Sequence, residues 1–251
     1  MANVDYLGDL DIEFLDAIDS TNRYLAARST DLRDFQTVAT TNQTEGRGRL
    51  GRDWHSTPGL GLALSIAVPR GATKESDGLV PLEVGLSVLV SLERFGLKGG
   101  GLKWPNDVLV SGKKLAGVLC HVASESHIIA GVGLNVSYSR NQIPFENATS
   151  LKMCGITGVG PGELCEGILV ALRAAHLDSM GSDYSRLDDV KRRMLTIGSR
   201  VRVHEPDGAE WTGLAKDIDG EGHLVVVRDG ESKSRRLVAG DILHLRNEQG
   251  D

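Results

Sequence analysis

Seven consecutive residues constrain this chain more than any others: Gly46-Arg47-Gly48-Arg49-Leu50-Gly51-Arg52, closed by Asp53-Trp54. Glycine at every second or third position removes helix propensity and leaves a strand little side chain to pack, so the run suits neither element. With its polar flanks it makes 43–58 a loop. Any fold this chain adopts must therefore carry a long basic loop early on. Glycine lets backbone N–H groups close on an anion, and each guanidinium is a planar, permanently charged fork for phosphate or carboxylate oxygens. Trp54 adds a flat apolar face able to stack on a base. These residue types leave two uses open: an anion-holding site loop, or a flexible Arg-Gly surface loop with weak affinity for RNA. A Walker-type phosphate loop is excluded, because no Gly-Lys-[Ser/Thr] follows.

Around that loop the periodicity predicts helices over 20–29, 78–95, 163–180 and 184–195. Ser20 is the N-cap of the first, and 78–95 places Leu79, Leu82, Leu86 and Leu89 on one face. Strands are predicted over 37–41, 61–68, 107–110, 115–123 and 128–136, with Ser111-Gly112-Lys113 as a tight hairpin turn. The glycines at 96–101 and 155–162 read as turns. After Ile197 the composition shifts to short β-rich runs, 201–204, 211–216, 223–227, 234–238 and 241–245, separated by Asp207-Gly208, Asp219-Gly220 and Asp229-Gly230. Short strands at regular turn spacing suggest a small barrel, and the boundary is placed between 1–197 and 198–251.

Two further motifs carry chemistry. Lys103-Trp104-Pro105-Asn106-Asp107 combines an extended Trp-Pro step with turn-forming Asn106 and with Asp107, a possible ligand for a hard cation. Lys114 opens the following strand, whose partner face is read as Leu115, Gly117 and Leu119; there it presents one ammonium to a pocket, or is a surface lysine beside a turn. Gly131-Val132-Gly133-Leu134-Asn135 lacks the third glycine and following helix of a dinucleotide fingerprint. Small residues in a strand mark close approach by a ligand or another backbone.

Composition narrows the classes. The formal net charge is -6, opposite in sign to generic nucleic-acid or anionic-membrane binders. Three cysteines with no CxxC pair form neither a disulfide framework nor a structural zinc site, and fit a reducing cytosol. The N-terminus lacks a signal-peptide pattern, and the longest uncharged apolar stretch, 84–92, falls short of the roughly 18 residues a span needs. No membrane partner and a cytoplasmic location are expected.

Taken in order, Gly-Arg-Gly-Arg-x-Gly-Arg-x-Trp, Lys-Trp-Pro-Asn-Asp, Lys-Leu-Ala-Gly and Gly-x-Gly-x-Asn resemble the bacterial-type biotin–protein ligases, from Ser20-Thr21-Asn22 to the C-terminal runs. The resemblance implies an α+β fold: a mixed-sheet catalytic domain of the biotin/lipoate ligase type, class II synthetase-like, followed by an SH3-like β-barrel. It implies that ATP activates biotin to biotinyl-5′-AMP and that biotin then passes to a lysine of a biotin carboxyl carrier protein domain. Ser20, Thr21, Asn22, Gln43, Gly46, Arg47, Gly48 and Lys114 are the implied biotin contacts. Arg47, Arg49, Arg52, Trp54, Lys103, Asn106 and Asn135 are the implied adenylate contacts, Lys114 and Arg49 the catalytic cations, and Asp107 a Mg²⁺ ligand through ATP. Leu50 departs from the pattern, standing where the family often has a second consecutive arginine. Too few residues precede Ser20 for a DNA-binding helix-turn-helix, so no DNA partner is expected, and the chain is expected to be a monomer or weak homodimer. Two other classes remain open: a lipoate- or octanoyl-transferring relative, expected to lack the arginine loop, and an RNA-binding module. The barrel is expected to contribute without a catalytic residue, with Arg235 and Arg236 as candidate contacts. Without an anion, Arg47, Arg49 and Arg52 are expected to repel one another and keep the loop open.

Overall fold

The computed structural model describes residues 10–71, 74–181, 186–205, 208–238 and 240–245. Seven strands form one mixed sheet: β1 (Ile12–Leu15), β2 (Thr37–Thr40), β3 (Gly61–Pro69), β4 (Gly100–Lys103), β5 (Asp107–Val110), β6 (Lys113–Val122) and β7 (His127–Asn135). Their order is β1-β2-β3-β7-β6-β5-β4, with β1 and β2 parallel and every other pairing antiparallel. Because side chains alternate across a strand, the sheet has two distinct faces. Leu62, Leu64, Ile66 and Val68 of β3, Ala130, Val132 and Leu134 of β7, and Ala116 and Val118 of β6 belong to one buried core. Helices α2 (Val80–Arg94) and α3 (Pro161–Gly181) pack there, joined by α4 (Arg186–Arg193). The opposite face of β3 and β7 is small and sparsely covered, with Gly61, Ala63, Ser65, Gly131 and Gly133. Only the short helix α1 (Thr21–Ala26) lies against it at one end.

A second, five-stranded antiparallel sheet follows: β8 (Arg200–His204), β9 (Glu210–Ile218), β10 (Leu224–Arg228), β11 (Ser234–Leu237) and β12 (Asp241–His244), in the order β11-β10-β9-β8-β12. Its apolar residues Val201, Val203, Trp211, Ala215, Ile218, Leu224 and Val226 are continuous with the core of the first sheet.

The predicted elements are present with ends moved by a few residues; the starts 184 and 207 of one helix and one turn lie outside the described residues. Two strands escaped the sequence reading. β1 is short and lacks alternation, with only partly buried ends. β4 was hidden by its glycines, read above as turns. They are small because Leu89 Cδ1 would lie 2.4 Å from a Cβ at Gly100, and Leu195 Cγ 2.6 Å from one at Gly101. The hairpin turn is tighter than predicted: Lys113 already pairs with Val110, leaving Ser111 and Gly112 at φ 51° and 74°. That is the two-residue loop whose twist matches antiparallel strands. A Cβ at Gly112 meets nothing within 4 Å, so Gly112→Ala is purely a backbone test. It is expected to destabilise the protein by about 1 kcal/mol in urea unfolding, the usual cost of a side chain in left-handed backbone.

Candidate functional site

One row of cross-strand neighbours forms the floor of the site: Lys103 opposite Asp107, Asp107 opposite Gly117, Gly117 opposite Gly133, Gly133 opposite Ala63, and Ala63 opposite Thr40. Its middle has no side chain larger than a methyl. Lys114 reaches this floor through an irregularity. Leu109 faces Lys114 and Val108 faces Ala116, so Leu115 is an extra residue, a β-bulge. Without the bulge, Lys114 would share the face of Ala116 and Val118, inside the helix-covered core. With it, Leu115 joins the core beside Ala116, a correction to its expected place on the partner face. The Lys114 ammonium instead lies over Gly117, whose Cβ would be 3.0 Å from both Cε and Nζ, and pairs with Asp107 Oδ1 at 2.6 Å. Its backbone is fixed too: Lys114 N–H donates to Asn147 O, and Thr149 N–H donates to Lys114 O.

At the other end α1 supplies a buried polar cluster. Ser20 caps the helix in extended conformation, its Oγ accepting from Arg23 N–H at 3.4 Å. Gln43 Oε1 accepts from Thr21 N–H at 3.0 Å and from its hydroxyl at 3.2 Å. Ser65 Oγ donates to Asn22 Oδ1 at 2.6 Å, while Asn22 Nδ2 donates to Leu119 O. A Cβ at Gly131 would lie 2.2 Å from Asn22 Oδ1, so glycine there is what lets the amide lie on the strand.

The basic loop closes over the floor between these ends. Gly46 is its neck: Trp54 N–H donates to Gly46 O at 3.0 Å, and a Cβ at Gly46 would lie 2.5 Å from Trp54 O. Trp54 lies flat on Gly133, whose Cβ would be 2.2 Å from indole Cε2, and its ring centre is 5.5 Å from Lys114 Nζ. The expected mutual repulsion of the arginines is relieved from within the protein. Arg47 pairs with Asp53 at 2.7 Å, Arg49 donates to Gly240 O at 3.3 Å, and Arg52 pairs with Asp241. Leu50 occupies the left-handed region at φ 55° and is 64% exposed.

Ser20, Thr21, Asn22, Gln43, Arg47, Gly48, Arg49, Arg52, Trp54, Lys103, Asn106, Asp107, Lys114 and Asn135 all line one cavity of about 1740 Å³. Gly46 alone of the expected residues lies outside its wall. Asn106 Nδ2 donates to Val118 O at 2.6 Å, and Val118 N–H donates to Asn106 O at 2.9 Å, which fixes the turn to β6. Asn135 Nδ2 approaches Lys114 O at 3.5 Å. Burial, with a smaller contribution from Lys114, lowers the Lys103 pKa against the opposing pull of Asp107. Burial lowers that of Arg49 as well. Cys120 and His121 of β6 point to opposite faces: Cys120 packs on the core, and His121 lines the cavity. Among the described residues no three His, Cys, Asp or Glu side chains gather as a metal site. Asp107 is the carboxylate paired with Lys114, and one such carboxylate suits an ion arriving on a phosphate ligand with its own waters rather than a protein cage.

Sequence reasoning expected the second sheet to contribute but did not identify the residues that line the cavity. Gly240, Asp241, Leu243 and His244 line the same cavity. No motif marks them; the short Ala-Gly-Asp run before β12 was the only signal. Arg235 and Arg236, the candidate contacts, do not line this cavity; Arg235 pairs with Glu231, and Arg236 with Asp219 and Glu221.

The model of the biotin/lipoate A/B protein ligase family matches residues 14–135, and that of the biotin protein ligase C terminal domain matches 196–245. A biotin–[acetyl-CoA-carboxylase] ligase of Mycobacterium tuberculosis is 37% identical over 233 residues, 90% of this chain and 86% of that protein. The chain belongs to the biotin–protein ligase family. The bifunctional ligase/repressor BirA of Escherichia coli is 29% identical, over 89% of this chain and 72% of its own. Among solved structures, the biotin protein ligase from Aquifex aeolicus in complex with biotin and ATP superposes with a TM-score of 0.76 at 28% identity, covering 94% of this chain and 99% of that one.

In this ligase-family chain the loop is tied to β12 through Arg52 and Asp241. Asp241→Asn removes that charge pair and leaves the backbone unchanged. Limited trypsin digestion of the ligand-free protein is expected to cut after Arg49 and Arg52 several-fold faster in the variant. Equal rates would show that the pair does not restrain the loop.

Proposed function

We propose that this chain activates biotin with ATP and transfers it to a lysine of the biotin carrier domain of a carboxylase, in the cytoplasm. One observation carries the reading: three glycines of adjoining strands bear three different groups. Gly131 carries the Asn22 amide, Gly133 the Trp54 indole and Gly117 the Lys114 ammonium. A ligand spanning that strip meets a polar head site, a flat apolar middle and a cation in succession. Biotin has a ureido head, a fused ring with an alkyl chain, and a carboxylate. We assign the head to Ser20, Thr21, Asn22 and Gln43, and the carboxylate to Lys114 with Arg47 and Gly48.

In the first step a biotin carboxylate oxygen attacks the α-phosphorus of ATP and pyrophosphate leaves. Two anions approach and charge crowds the transition state, so fixed cations lower the barrier. Lys114 and Arg49 serve that task, with Lys103 and Arg52 beside them; Mg²⁺ enters on ATP, and Asp107 is the carboxylate near enough to the cations to meet it. In the second step the free amine of the acceptor lysine attacks the acyl carbon, AMP leaves and the amine loses a proton. The catalytic and C-terminal domains divide at residue 197, and the chain works as a monomer or weak homodimer.

Incubation with ATP, Mg²⁺, labelled biotin and a carrier domain, followed by the mass of the acceptor, tests the function. An unmodified acceptor, or one labelled equally well by lipoate, would overturn it. Lys114→Ala is expected to lower biotin-dependent ATP–pyrophosphate exchange by about 10²–10³-fold, the loss seen when one such stabilising group is removed. Lys103 must be charged, and burial places its pKa below the ordinary 10.5. As pH rises it therefore loses its proton earlier than a free lysine. The alkaline limb of kcat/KM for ATP, which reports the free enzyme, is expected below that value and to move upward in Lys103→Arg.

A further inference from the structure

The turn that carries Lys103, Asn106 and Asp107 is gripped at two points, both on Trp104: directly from the hairpin between β9 and β10, and through Thr196, which His244 of β12 holds in turn. The Trp104 indole, 2% exposed, donates from Nε1 to Gly222 O at 3.0 Å. Its backbone N–H donates to Thr196 Oγ1 at 3.0 Å, and the same hydroxyl lies 3.0 Å from His244 Nε2. Thr196 Oγ1 accepts from Trp104 and still has its own proton and a second lone pair with which to bond His244 Nε2 in either ring tautomer. Burial, followed by Lys103, lowers the His244 pKa and favours the neutral ring.

The position of Gly222 is set by direct backbone packing. A Cβ at Gly222 would lie 2.3 Å from Gly78 O, and one at Gly78 would lie 2.2 Å from Glu221 O. The hairpin between β9 and β10 thus rests backbone to backbone against the segment leading into α2. Gly222 also has φ +80°, which a side chain rarely adopts. By contrast α1, which bears the polar head cluster, packs on β2, β3 and β7 and makes no comparable contact with the second sheet.

We propose that Gly222, Thr196 and His244 are positioning residues for the nucleotide half of the reaction: through Trp104 they hold the turn that places Lys103 and Asp107. Loosening that hold is then read in ATP use, while biotin recognition by the α1 cluster stays intact. This rests on the ligase reading, and its test separates the two.

Three variants are compared with the parent protein: Gly222→Ala, His244→Ala and His244→Gln, in which the glutamine amide, able to donate or accept, takes the place of Nε2. Biotin affinity is measured by calorimetry without nucleotide, KM for ATP by biotin-dependent pyrophosphate exchange, and folding by circular dichroism. Gly222→Ala is expected to raise KM for ATP by at least about tenfold while biotin affinity changes by less than about threefold. His244→Ala is expected to raise it by about fivefold, and His244→Gln to return it to within about twofold of the parent. Unchanged KM in folded variants, equal loss of biotin and ATP binding, or no rescue by glutamine would overturn the proposal. If Gly222→Ala does not fold, the His244 pair decides alone. A parent without exchange would condemn the ligase reading instead; the grip on the turn is then judged by ATP affinity measured in calorimetry on the same variants, with the same expected ratios.

Discussion

The site depends on the extra residue in β6. The bulge at Leu115 rotates Lys114 out of the helix-covered core and onto the glycine floor, where Asp107 waits one strand away. A bulge is a local change of register, yet here it decides whether a charge points into hydrocarbon or into the cavity. Burying an unpaired ammonium in the core would be far more costly than the bulge, so the hydrophobic pattern and the charge favour the same register. The segment 147–149 then clasps the Lys114 backbone on its free edge. An ammonium meant to stabilise a developing charge has to be in place beforehand, and both the bulge and the clasp serve that.

The cations around it are held ready in a particular way. Arg47, Arg52 and Lys114 each have one carboxylate partner, Asp53, Asp241 and Asp107. The Arg47 and Arg52 pairs are largely exposed, and such pairs are weak and weakened further by salt. They relieve repulsion within the loop and yield readily to an anion offering several charge-assisted hydrogen bonds. Partners of this strength explain how a loop with three guanidiniums keeps a defined shape without committing its charges.

Much of the frame was legible in the residues. The Ser20 cap, the leucine face of α2 and the Ser111-Gly112 turn each have a local physical cause, and local causes can be read from sequence; the strand glycines announced a close approach without naming the group that makes it. What escaped depends on distant partners. Gly100 and Gly101 look like turn residues until Leu89 and Leu195 press on them. The bulge at Leu115 is invisible because the run that follows, Ala116-Gly117-Val118-Leu119, is small or apolar at every position and shows no alternation to fix the register. Gly222 and His244 matter only because Gly78 and Thr196 meet them across the two sheets. The family motifs converged on one cavity because they mark the glycine floor and the basic loop, whereas the second sheet contributes single residues without a pattern.

Trp54 sets the terms on which a ligand enters. Its ring rests on Gly133 with no room even for a methyl between indole and strand. Any molecule lying on that part of the floor has to displace the indole, so ligand entry and loop movement are one event. The neck at Gly46 holds the Trp54 backbone by one hydrogen bond, Trp54 N–H to Gly46 O, and by close packing against Trp54 O, which limits how far the loop can travel as a rigid piece. Movement must therefore be taken up beyond the neck, by Gly48 and Gly51, where added side chains would meet little. The alternation of glycine and arginine thus has a mechanical reason beside its chemical one: the glycines let the arginines change partners while the neck keeps them over the same floor.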